Sequence, residues 1–312
     1  MKAIVCTNYG SPDVLKLQQI KKPIPKDNEV LIKIHATTVT SGDCRVRSFK
    51  SPLLYKIPMR LFLGIRRPRN PILGTELSGV IEAVGTGVKG FKNGDPIYAF
   101  TGMKFGGYAE YICLAADSTV TIKPTNTTHE EAASILFGGT TALYFLRKGK
   151  IQSGQKILIY GASGATGTSA VQLAKYFGAE VTGVCSTGNM ELVKSLGADD
   201  VIDYTKEDWA ASGKRYDIIF DAVGKTSKSK CKNVLLPDGV YVTVEGQGIA
   251  KVRLEDLIFL KELVEAGAVK SVIDSIYPFE QTPEAHRYVE KGHKKGNVVI
   301  SVILLSKISE AL

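Results

Sequence analysis

The chain has 312 residues with a formal net charge of +9, and 44% of them are hydrophobic, so it is long enough to divide into two cores and apolar enough to bury both. No stretch reaches the roughly 18 consecutive apolar residues that a membrane span needs, and the mean hydropathy of +0.02 is that of a globular protein. The basic residues are scattered, with local groups only at RRPR from Arg66 and HKK from His293, which argues against a nucleic-acid reader and for a solvated basic surface that draws in anions.

The amino end, MKAIVCTNYG, runs straight into a strand pattern with no apolar leader core, so a cytoplasmic location is the expectation. Short alternating strands are predicted at Ala3–Thr7, Glu29–Thr38, Gly79–Gly85, Pro96–Phe100 and Tyr108–Cys113, separated by proline and glycine turns. They predict a β-rich domain over residues 1–125. Cys6, Cys44, Cys113, Cys185 and Cys231 form an odd set without C-x-x-C spacing, so neither a disulfide framework nor a clustered zinc site follows.

From residue 126 to about 275 the pattern changes to strands alternating with helices. Ile157–Tyr160 is an apolar run suited to a parallel strand covered on both faces. The chain then turns at Gly161, Gly164 and Gly167, and Ala165–Phe177 carries apolar residues at helical spacing up to Gly178. Free N–H groups and the positive dipole end at the start of that helix suit a pyrophosphate. Gly164 allows close approach of phosphate, and Gly167 allows helix and strand to pack. Ala162 replaces the first glycine of G-x-G-x-x-G, so the surrounding strand, helix and second strand (Glu180–Cys185) carry the argument.

An acid at the end of that second strand would accept from a ribose 2′-hydroxyl and repel a 2′-phosphate. Ser186 and Thr187 stand there instead, with Tyr204 and Lys194 as further donors, so NADPH is expected over NADH. Asn189–Leu196 reads as a helix, Asp200–Tyr204, Tyr216–Phe220 and Gly239–Val244 as strands, and Leu254–Ala266 as a helix. Parallel neighbours need such crossovers, so the fold class is α/β with a doubly wound parallel sheet. DAVG from Asp221 leaves the carboxyl end of the fourth strand, the end at which ligands bind in open sheets. Val298–Leu304 falls outside this rhythm and is expected to pair with the first domain, so that residues 276–312 return to it.

Taken together, MKAIVCTNYGSPDVLKL, PILGTELSGVIEAVGTGVKGFKNGDPIYAF, EEAASILFGGTTALYFL, GASGATG, LVKSLGADDVIDY and GNVVISV resemble, in content and order, a medium-chain dehydrogenase/reductase of the zinc-independent quinone oxidoreductase and enone reductase branch. The resemblance implies a GroES-like β domain, a Rossmann domain at 126–275, and a homodimer formed by edge-to-edge pairing of Rossmann sheets through Gly239–Val244. It also implies that Ser163, Gly164, Ala165, Thr166 and Gly167 hold the diphosphate. Ser186, Thr187 and Tyr204 are then assigned to the adenosine 2′-phosphate, Thr140 and Val223 to the nicotinamide side, and Asn297 to the returning segment. Relatives that use zinc carry Gly-His-Glu where this chain has Gly74, Thr75 and Glu76, and a ligand cysteine where it has Thr40. No metal is therefore expected.

Without a metal, hydride transfer needs an acceptor that is already electrophilic, such as a quinone or a carbonyl-conjugated alkene, held in a cleft that excludes water. Asp43, Tyr55 and Thr40 are the candidates for a catalytic contact, and Asp43 reads equally as a helix cap or turn residue. His35, His129, His286 and His293 show no partner spacing. Two other readings stand beside the reductase: an alcohol dehydrogenase with an unconventional metal site, and a non-catalytic NADPH-binding sensor. No nucleic acid or membrane partner is expected.

Overall fold

The computed structural model describes residues 1–49, 60, 61 and 63–303. Two compact units emerge, one of Met1–Leu136 with the segment from Ile273 onward, the other of Phe137–Val272. The division falls inside the helix His129–Lys148.

In the first unit the strands are β1 (Lys2–Cys6), β2 (Leu15–Gln19), β3 (Glu29–Thr38), β4 (Glu76–Val84), β5 (Pro96–Phe100), β6 (Tyr111–Ala115) and β7 (Val120–Ile122), with helix α1 (Ser41–Ser48) between β3 and β4. β1 and β2 pair as a separate antiparallel two-stranded sheet. The larger sheet runs β13-β14-β3-β4-β5-β7 with β6 also on β3, where β13 is Ile273–Pro278 and β14 is Asn297–Ser301. The returning strand therefore pairs with the first-domain sheet as expected, Val299 opposite Thr38. Leu304, placed by the sequence reading at its end, lies outside the described residues. One face buries Val30, Ile32, Ile34, Leu77, Ile81 and Ile97, the inward set of alternating strands.

Tyr108 was expected to open a strand, yet the ladder begins at Tyr111. The backbone N–H of Tyr108 donates to Leu73 O at 2.9 Å and its carbonyl accepts from Ile4 N at 2.9 Å, so two other segments take up the groups a ladder would use.

The second unit holds a five-stranded parallel sheet in the order β10-β9-β8-β11-β12. Its strands are β8 (Lys156–Tyr160), β9 (Glu180–Cys185), β10 (Asp200–Asp203), β11 (Tyr216–Asp221) and β12 (Leu235–Thr243). Helices α2 (His129–Lys148), α3 (Ala165–Tyr176), α4 (Met190–Ser195), α5 (Lys228–Cys231) and α6 (Leu254–Glu265) alternate with them, and α7 (Thr282–Glu290) links β13 to β14. Ile157, Leu158 and Ile159 are all fully buried, the signature of a strand covered on both faces. β12 starts four residues before the expected Gly239 because its register jumps, from Tyr216 opposite Leu235 to Ile218 opposite Val240. An edge strand tolerates that irregularity and Pro237, since only one side is paired.

Candidate functional site

The glycine turn is built by two steric demands. Gly161 leaves β8 at φ +81°, and an added Cβ there would lie 2.6 Å from Val223 Cγ1. At Gly167 an added Cβ would overlap Gly161 O and stand 2.7 Å from Ala162 Cα, so only glycine lets α3 approach the turn so closely. Gly164 is the N-cap of α3 and brings no side-chain cap, whereas Thr40, Asp208 and Ser227 cap their own helices. The first N–H groups of α3 thus face the turn without a side-chain acceptor, and Gly164 has nothing nearer its Cβ position than Gly161 O at 3.7 Å. Open backbone donors at the positive end of a helix fit a diphosphate.

The loop after β11 is shaped by Asp221, which is fully buried. Its carboxylate accepts from the backbone N–H groups of Val223 at 3.2 Å, Gly224 at 2.8 Å and Thr226 at 2.9 Å, and from the Tyr241 hydroxyl at 3.3 Å. Those bonds hold Val223 over Gly161. An added Cβ on Gly138 would sit 2.5 Å from Ala165 O, which brings α2, and with it buried Thr140, against the start of α3.

At the far end of the site Asn189 joins the turn to β9. Its Nδ2 donates to Ser163 Oγ at 3.0 Å and to Ser186 Oγ at 3.2 Å. Thr187 Oγ1 donates to Asp203 Oδ2, and hydrogen bonds from Thr187 and then Thr205 hold the Asp203 carboxyl below the usual carboxylate range. Tyr204 is half exposed, its ring 6.3 Å from that of Tyr160. A pocket of about 470 Å³ opens here, lined by Tyr160, Tyr204, Thr205, Lys206, Trp209 and Lys230 among others. Ser163, Gly164, Ala165, Thr166, Gly167, Ser186, Thr187, Tyr204, Thr140 and Val223 therefore all belong to the unit that holds the parallel sheet. Asn189, Asp203 and the loop-ordering role of Asp221 were missed. An acid at a strand's carboxyl end was the available signal, but it was sought at β9 and stands at β10.

Asn297, Thr40 and Asp43 belong to the β-rich unit. Asn297 is buried at the start of β14, opposite Ile273. Thr40 and Asp43 cap α1 reciprocally: Asp43 N donates to Thr40 Oγ1 at 3.1 Å, and Asp43 Oδ2 accepts from Thr40 N at 2.9 Å and Thr40 Oγ1 at 2.6 Å. Asp43 Oδ1 accepts from Gly74 N at 3.1 Å. Burial raises the Asp43 pKa, against the lowering pull of these bonds. Both side chains are committed to holding the backbone. Tyr55, the third candidate, lies outside the described residues.

His286, fully buried, lies at the centre of the same unit's polar interior. Arg47 Nε donates to its Nδ1 at 3.3 Å, so the ring proton sits on Nε2, which faces Tyr108 Oη at 3.1 Å. Burial, and then the Arg47 charge, push His286 down to about 3. Glu76 accepts from Thr38 Oγ1, while the buried Thr75 hydroxyl has no hydrogen-bond partner among the described residues. Among the described residues no group of three or more His, Cys, Asp or Glu side chains is placed to hold a metal ion.

Comparison with known proteins gives the family of both units. Residues 26–124 match the family model of the alcohol dehydrogenase GroES-like domain, and residues 165–281 that of the zinc-binding dehydrogenase. The chain is 37% identical over 322 residues to the 2-methylene-furan-3-one reductase of Solanum lycopersicum, covering 97% of this chain and 79% of the relative. It is 34% identical over 319 residues to the chloroplastic NADPH-dependent alkenal/one oxidoreductase of Arabidopsis thaliana, covering 96% of this chain and 79% of the relative. Among solved structures, the quinone oxidoreductase from Coxiella burnetii superposes with a TM-score of 0.87 at 28% identity, over 97% of this chain and 99% of the other.

Proposed function

The chain belongs to the medium-chain dehydrogenase/reductase superfamily, in its quinone oxidoreductase branch, and from that premise we propose that it reduces quinones or α,β-unsaturated carbonyls with NADPH, by hydride transfer and without zinc. The observation that carries the reading is the uncapped start of α3 beside a turn that only glycines can form. Bound there, a reduced nicotinamide supplies a hydride. Backbone N–H groups of Ala165, Thr166 and Gly167 would hold its diphosphate, and the Asp221-ordered loop presents Val223 beside them. Ser186, Tyr204 and Lys206 supply donors for a 2′-phosphate.

Thr75 is the group we assign to the acceptor. A buried hydroxyl without a partner costs about 1–3 kcal/mol, and a substrate carbonyl oxygen would relieve that cost. Zinc-independence is supported by the donor set: Thr40 and Asp43 are occupied as a cap, and Thr75 is a poor metal ligand. The unpaired outer edge of β12 supports a homodimer, with that edge as the interface. Five free cysteines suit a reducing compartment such as the cytoplasm. No helix of the described residues is long and apolar enough to cross a membrane.

The test is NADPH consumption over a panel of quinones and enones, with protein dialysed against a chelator and sized by sedimentation velocity. Turnover by a metal-free dimer is expected, with Thr75→Val at least about tenfold slower and Thr75→Ser close to the parent. Tight NADPH binding with no turnover on any acceptor would instead mark a sensor. Activity lost with the metal would mark an alcohol dehydrogenase-type site.

A further inference from the structure

The carboxyl edge of the parallel sheet carries an acid that the glycine turn does not require. Asp203 ends β10 in register with Cys185 of β9, and its side chain is only 5% exposed. Four donors surround its carboxylate. Thr187 Oγ1 donates to Oδ2, while Thr205 N at 3.0 Å and Thr205 Oγ1 at 2.6 Å donate to Oδ1. Lys206 Nζ lies 3.9 Å from Oδ2.

An ionised carboxylate only accepts, so each threonine gives it the single hydrogen it has. Thr187 and Thr205, with hydroxyl oxygens 3.4 Å apart, are left with lone pairs for anything that approaches. An alcohol can donate to such a pair. A phosphate dianion cannot, because it too only accepts, and it meets the Asp203 charge behind them. The neighbouring lysines are shared with acids rather than free for a phosphate, since Lys206 lies 3.9 Å from Asp203, whose charge it offsets in part, and Lys230 lies 3.6 Å from Asp208.

We propose that Asp203, acting through Thr187 and Thr205, is a specificity-positioning residue that favours a ribose 2′-hydroxyl and opposes a 2′-phosphate. The chain then accepts NADH alongside NADPH, and its preference for NADPH is smaller than Ser186, Tyr204 and Lys206 alone would give. The inference rests on the reading that the nucleotide binds along the carboxyl edge of this sheet.

The single tryptophan, Trp209, lines the adjacent pocket and reports occupancy through its fluorescence. Titration of the full chain with NADPH and with NADH gives a ratio of dissociation constants, which a merely structural defect would not move because it weakens both nucleotides alike. Asp203→Asn is expected to shift that ratio toward NADPH by about tenfold, equivalent to about 1.4 kcal/mol. Thr187→Val, which removes the acceptor and spares the carboxylate, is expected to weaken NADH more than NADPH. Calorimetry with 2′,5′-ADP and 5′-AMP repeats the comparison without the nicotinamide. A ratio unchanged in both variants overturns the proposal. Failure of the parent protein to bind either nucleotide overturns the nucleotide site itself, a distinct result.

Discussion

Gly167 shows how one absent side chain sets the chemistry of the whole turn. A methyl group there overlaps Gly161 O, so α3 would have to retreat from the turn that aims its N–H groups. Gly167→Ala is expected to cost about 1–3 kcal/mol of stability by overpacking and to weaken NADPH binding at least about tenfold. Gly188→Ala is the control, because an added Cβ there meets nothing within 4 Å. Equal affinities in the two variants, read by fluorescence titration, would remove the phosphate role of the turn. The glycine spacing was legible because it is local. The link between Thr187 and Asp203 was not, because 16 residues separate them and only the pairing of β9 with β10 brings them together.

Among the elements, α1 and α7 are two helices that the sequence reading did not predict. α1 reads SGDCRVRS, and its buried residues include Asp43 and Arg47, so its inward face looks polar in the sequence. What holds it is a hydrogen-bonded interior: Arg47, fully buried, donates to Gly10 O and pairs with Glu290, and its Nε reaches His286 on α7. The two helices are joined through charged and polar groups that no apolar periodicity marks. β12, by contrast, was recognised but placed late, at Gly239, because the segment before it holds Pro237, which an edge strand absorbs.

This polar interior makes stability depend on pH in a stated direction. His286 titrates near 3 when folded and near its ordinary 6.5 when unfolded, so below 6.5 the unfolded chain binds a proton that the folded chain refuses. Stability is therefore full above pH 6.5 and falls as pH drops toward 3, by about 1.4 kcal/mol per pH unit from this group. Urea midpoints from pH 7.5 to about 4.5 should decline more steeply in the parent than in His286→Gln. Parallel declines would mean that His286 is not buried neutral.

At the scale of the molecule, the alternation of short strands with turns and the later alternation of strands with helices made both architectures readable, as did the return of the last strand. Residues distant in sequence but adjacent in the fold were hidden: Thr38 on Glu76, Gly74 on Asp43 and the Thr75 hydroxyl, unpartnered among the described residues. On the proposed zinc-independent reading, the acceptor is polarised by hydrogen-bond donors and geometry alone, which suits acceptors whose electrophilicity is intrinsic. The direct test is to supply NADPH carrying deuterium at either face of the nicotinamide C4 to chelator-treated protein with an enone, and to locate the label by mass spectrometry. One of the two samples is predicted to place deuterium on the β-carbon of the product, in step with NADPH loss. Product lacking the label with both, or turnover that vanishes on chelation and returns with a transition metal, would contradict the account.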